Sequence, residues 1–166
     1  MTLGFAQAGY PLLTTGGFFP AVIEVYPHPA LIELAKANRR LPYKHANSRK
    51  HWPEASPIDR RAKLLSVWAG IVSLLDHRIE GVASALPLPD PSSRGYEMKA
   101  FEDCLDAVVC AWVGTCVLDG SATAHGDETS ASGCLPLQHS RALYLAPKIG
   151  AQHTSSTNAD ATGTPT

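Results

Sequence analysis

The stretch Ala21 to Ala30, AVIEVYPHPA, decides how the chain is read. Four of its first six residues are β-branched or aromatic, with one carboxylate among them, a composition that suits a short buried strand. Pro27 and Pro29 forbid the strand to continue, but Pro29 suits the first turn of a helix with His28 near its N-cap. Ala30 to Lys36 then gives about two helical turns. Strand into helix is the beginning of an α/β unit. Glu24 is the anomaly, because in the alternation Val22, Glu24, Tyr26 it shares a face with apolar neighbours. Either the strand is an exposed edge with Glu24 in solvent, or Glu24 has a buried partner.

Outward from this stretch, 166 residues with 45% apolar and 17% charged content suffice for one globular domain with its own core. The net charge of −1 conceals an uneven distribution. Residues 36–63 hold nine of the 14 Lys and Arg against Glu54 and Asp59, which makes that segment +7 and the remainder −8. Such a block is either a local site for an anionic partner or a solvated loop. Cys104, Cys110 and Cys116 fall on one expected helix at steps of about 240°, so they form neither a metal cluster nor disulfides with one another. With Cys134 they read as buried, reduced thiols, which points to the cytoplasm. The absence of a basic, cleavable leader points the same way. No run of about 18 apolar residues exists to span a membrane.

Two helices are strongly marked. Ser56-Pro57-Ile58-Asp59 resembles a capping box with Asp in place of Glu, and the stripe Leu64, Trp68, Ile71, Val72, Leu75 and Ile79 follows it. Arg60, Arg61 and Lys63 in its first turns oppose the helix dipole, a cost that anion binding at the helix start would explain. The second helix runs from Met98 to about Leu118 with the stripe Phe101, Leu105, Val108, Val109, Trp112 and Cys116. Between them lie a polar loop, residues 38–57, rich in cations and rings, and a Pro-Ser connector, LPLPDPSSRG. The end of the chain, QHTSSTNADATGTPT, has the composition of a disordered tail.

Acids gather at the start of the second long helix. Glu102 and Asp103 suit the positive end of its dipole. Asp106 sits at the edge of a run that should be buried, where an unpaired charge is costly and a cation would relieve it. If Glu24 and Asp106 converge, two carboxylates make an all-oxygen site for a hard divalent ion, Mg²⁺ or Mn²⁺, of the kind that supports phosphodiester hydrolysis. The basic loop would then hold a nucleic-acid backbone.

The segments IEVYPHPAL (23–31), LPYKHANSRK (41–50), RRAKLLSVWAGI (60–71), FEDCLDAVVCAW (101–112) and HGDE (125–128) together resemble family 429 of the domains of unknown function. That family is described as predicted nucleases of ribonuclease-H-like fold. The resemblance implies an α/β fold, a mixed sheet flanked by helices, with acids from strands and a late helix around a metal. It assigns Glu24 and Asp106 to the metal, and matches Lys44 to a basic position and Arg60 or Arg61 to the arginine that opens a helix. The catalytic expectation built on it adds Asp103 as an assisting acid and gives Lys44, Arg60 and Arg61 to phosphate.

The resemblance spans about residues 20–128. Residues 1–19 would be a remnant of an opening hairpin region, and 129–166 a divergent tail. Members of this kind carry an Asp on their first strand, whereas no carboxylate precedes Glu24 here. The sequence-based expectation is therefore a predicted nuclease domain shortened at its N-terminus and inactive as it stands, the product of a truncated or mis-assigned reading frame. The competing expectation is a non-catalytic module that binds nucleic acid or another polyanion through residues 39–63. A chain of this kind that does not fold alone is the third.

Overall fold

The computed structural model describes residues 2–13, 20–126 and 131–134. Its elements in chain order are α1 (Thr2–Gln7), α2 (Pro27–Ala35), a 3₁₀ turn (His45–Asn47), α3 (Ser48–His51), α4 (Pro57–Asp76), α5 (Val82–Ala85) and α6 (Gly95–Leu118). The strands β1 (Thr123–Gly126) and β2 (Ala131–Cys134) follow.

The α/β expectation is overturned. The described residues form a helical assembly, and their one sheet is the antiparallel hairpin of β1 and β2, in register Thr123 with Cys134 through Gly126 with Ala131. There is no mixed sheet flanked by helices, and hence no ribonuclease-H-like architecture in the described part. The run 20–26 never becomes a strand. Among the described residues it forms isolated bridges, at Val22 in parallel with Leu12 and at Glu24, without becoming a named strand. Its apolar side chains are used differently, with Ile23 and Val25 packed against the helical core.

That core is built by the long stripes read from the sequence. Leu64, Trp68, Ile71, Val72 and Leu75 are the buried residues of α4, and Met98, Phe101, Leu105, Val109, Trp112, Val113 and Cys116 are the buried apolar residues of α6. The rings of Trp68 and Phe101 meet at 4.8 Å where the two helices face each other. α2 closes the cluster with Ala30, Leu31 and Leu34. Helix packs on helix here, so no sheet is needed to cover the apolar faces.

Local chemistry sets the helix ends. α2 begins at Pro27, so both prolines stand in the first turn, where a missing N–H costs nothing. It ends at Lys36 in the left-handed region (φ 49°), stabilised by an Ala37 N–H to Ile32 O bond of 2.9 Å. At α4, Ser56 Oγ accepts from Asp59 N (3.1 Å) as an N-cap and donates to Asp59 Oδ2 (2.7 Å), so the Asp59 carboxylate meets the Ser56 hydroxyl rather than the backbone N–H of a capping box. Ile79, expected in the stripe, lies just beyond the helix and is partly buried. The polar loop 38–57 is more regular than its composition indicates, since it holds the 3₁₀ turn and α3. Among the described residues no helix is long and apolar enough to cross a membrane. The tail from residue 135 lies outside the described residues, as do Asp127 and Glu128 of HGDE.

Candidate functional site

Helix α6 places Glu102 and Asp106 one turn apart on the face turned toward α2 and the loop that follows it. Glu102 is the one buried charged residue among those described, at 3% exposure. A bare carboxylate there would be costly, and the loop supplies what it lacks.

Three consecutive loop residues between them engage these two acids. The Tyr43 hydroxyl donates to Asp106 Oδ1 (2.8 Å). The Lys44 ammonium pairs with Asp106 Oδ2 and lies 3.4 Å from Glu102 Oε1. The His45 backbone N–H donates to Glu102 Oε2 (2.6 Å). Tyr43 is itself fully buried, and its carbonyl accepts from Trp68 Nε1 (2.7 Å), which ties the loop to α4 as well. Charge-assisted bonds of this kind are stronger than neutral ones, and bonds that share partners support one another. Lys99 adds a second ammonium, 3.4 Å from Glu102 Oε1 and paired with the exposed Asp103.

Rings extend the centre toward the surface. His28 stands edge-on to Tyr43 (5.1 Å) and to Tyr26 (5.3 Å), and Arg40 lies 5.6 Å above the Tyr26 ring. Burial, and then the charges of Arg40 and Lys44, hold the His28 imidazole below its ordinary pKa, so it favours the neutral form. Its Nδ1 is buried without a hydrogen-bond partner among the described residues. Burial pushes the Tyr43 phenol far above its usual range, with the Asp106 bond adding to the effect. Tyr43 is therefore a donor and not a base. Burial, followed by the charge of Asp106, also raises the Cys110 thiol one turn on, which keeps it protonated and poorly nucleophilic.

The sequence-based site residues thus divide. Asp106 and Lys44 come together as an ion pair. Asp103 is exposed but offers an oxygen within 4.8 Å of those of Glu102 and Asp106. Glu24 is exposed and lies outside that cluster. Arg60 and Arg61 line a cleft with His45, whose backbone holds Glu102. Cys104 is exposed, contrary to the expectation of three buried thiols, while Cys116 is buried.

Glu102, Tyr43 and His45 escaped the sequence reading. Glu102 was assigned to the helix dipole, yet its place in the progression Met98, Glu102, Leu105, Val109 puts it inside the buried stripe, and that spacing was the available signal.

Glu102, Asp103 and Asp106 could hold a metal ion, since three carboxylate oxygens at this separation suit a hard cation. The same oxygens now hold Lys44 and Lys99, so an ion would bind in competition with two ammonium groups.

A family model described as "Protein of unknown function (DUF429)" matches residues 12–131, and the chain belongs to that family. The match starts earlier than the segments that carried the resemblance. No curated protein and no solved structure matches the chain.

Proposed function

We propose, from this geometry and the resemblance to predicted nucleases, that the chain carries a site for metal-dependent phosphodiester hydrolysis of nucleic acid. The observation that carries the reading is the seating of one cation, the Lys44 ammonium, against both Asp106 and the buried Glu102. Acids fixed in this way form a cation site before any ligand arrives. A Mg²⁺ or Mn²⁺ ion at these carboxylates would supply Lewis-acid stabilisation of phosphoryl oxygens and a more acidic water.

The chain's own residues provide the rest. Tyr43 and the His45 amide orient the two carboxylates. Lys44, once exchanged from them, would engage phosphate together with Arg60 and Arg61, which line a cleft with His45. Glu24 lies outside this set.

The test combines Mn²⁺ binding, followed by relaxation enhancement, with cleavage of single- and double-stranded DNA and RNA in Mg²⁺. Cleavage that needs the metal and disappears in Glu102→Gln and Asp106→Asn supports the proposal. Absence of both Mn²⁺ binding and cleavage overturns it.

A second reading, a non-catalytic polyanion-binding module, has its own support. Of the nine cations in residues 36–63, Lys44 alone has a carboxylate partner among the described residues. Nucleic-acid binding that needs no metal and weakens steeply with salt would favour it over hydrolysis.

A further inference from the structure

We propose that the cleft between the start of α4 and the start of α6 is a seat for a single phosphate group, filled by a terminal phosphate monoester or by inorganic phosphate. The inference deepens the phosphodiester reading by giving one phosphate a place, but the site itself needs neither metal nor hydrolysis.

Three separate elements bring polar groups to this cleft: His45 from the 3₁₀ turn, Ser48 from the start of α3, and Arg60 and Arg61 from α4. Leu64 and Met98, both buried, form its apolar floor. None of the lining residues is acidic.

Backbone carbonyls hold the two guanidinium groups in position. Arg60 Nη1 donates to Ala55 O, and Arg61 Nη1 donates to Pro91 O (2.8 Å) and Ser93 O (2.6 Å). Carbonyls orient a guanidinium without neutralising it, and one nitrogen of each makes these bonds. The remaining N–H donors keep the planar fork that matches phosphate. Tethering accounts for each arginine singly, Arg60 to the loop before α4 and Arg61 to the connector. It does not account for the gathering of Arg60 and Arg61 with His45 and Ser48 around one concavity.

Size narrows the occupant. The cleft offers about 200 Å³, several times the roughly 30 Å³ share of a water and below the roughly 300–1,000 Å³ of pockets that engulf whole small molecules. A phosphate with the first atoms of the group it esterifies fits that description, while its nucleoside would remain outside.

The experiment titrates the metal-free full chain with inorganic phosphate at constant ionic strength, following the His45 imidazole signals by NMR and the melting temperature. A 5′-phosphorylated trinucleotide and its 5′-hydroxyl counterpart then separate the two sources of phosphate. The expected result is a saturable His45 shift with inorganic phosphate, weakened about tenfold in Arg60→Gln and in Ser48→Ala and unchanged in Lys50→Gln. Tighter binding of the 5′-phosphorylated oligomer than of inorganic phosphate identifies a strand end as the ligand, and equal binding identifies the free anion. Arg61→Lys serves in place of Arg61→Gln, since it retains the charge if loss of the connector tether unfolds the chain.

A His45 shift absent with both probes, or undiminished in Arg60→Gln and Ser48→Ala, overturns the proposal. Asp106→Asn separates it from the hydrolytic reading, because phosphate binding should persist there while cleavage is lost.

Discussion

Tyr43 and Asp106, 63 positions apart, are joined by a 2.8 Å hydrogen bond from phenol to carboxylate. Because the phenol is buried and the acceptor charged, its removal is costly even though Lys44 also serves Asp106. Tyr43→Phe should lower stability by about 1.5–3 kcal/mol. Urea unfolding would show this as a lower midpoint at unchanged slope.

Glu102 and Lys44 should be energetically coupled. Lys44→Met leaves a buried carboxylate with only the half-exposed Lys99 and the His45 amide, at an expected cost of about 3 kcal/mol. Adding Glu102→Gln removes the stranded charge. The double variant should therefore be destabilised by at least about 1 kcal/mol less than the sum of the single ones, and strict additivity in a double-mutant cycle would disprove the coupling.

His28 sets a pH dependence. Its folded-state pKa lies below the ordinary 6.5, first through burial and then through Arg40 and Lys44, with Asp106 and Glu102 opposing. As pH falls through the unfolded value, the unfolded chain takes up this proton before the folded one does. The His28 contribution is thus fully present above that value, declines below it, and levels off once the folded imidazole protonates. Melting temperatures between about pH 8 and about pH 5 should fall more steeply for the parent chain than for His28→Asn.

Ser56→Ala should cost about 1 kcal/mol through loss of the α4 cap, leaving Asp59 N without its acceptor. Ser56→Asp, which retains an acceptor, should recover most of it in the same thermal melts.

The helices were legible because apolar spacing reports burial whatever the partner is. The stripe through Leu64 and Trp68, and that through Phe101 and Trp112, are buried apart from Ile79 and Val108, which are partly so. Partner identity was not legible. The run containing Val22 has strand composition, but a strand also needs a neighbour, and the described chain offers Val22 only the bridge to Leu12. The acids were half legible for a similar reason. Asp106 stood out against an apolar sequence, while Glu102 was obscured by a sufficient local explanation at a helix start. His45 contributes through its backbone amide, a group every residue but proline carries, so no residue pattern could single it out.

Tyr43, Lys44 and His45 deliver a hydroxyl, an ammonium and an amide to α6 in strict succession. Loops generally accept insertions and deletions with little penalty, but this one is read in register like a strand. One residue gained or lost between Tyr43 and His45 would displace the donors from their acceptors together. Composition marks this segment as a loop free to vary, and its bonding makes it among the parts least able to change length.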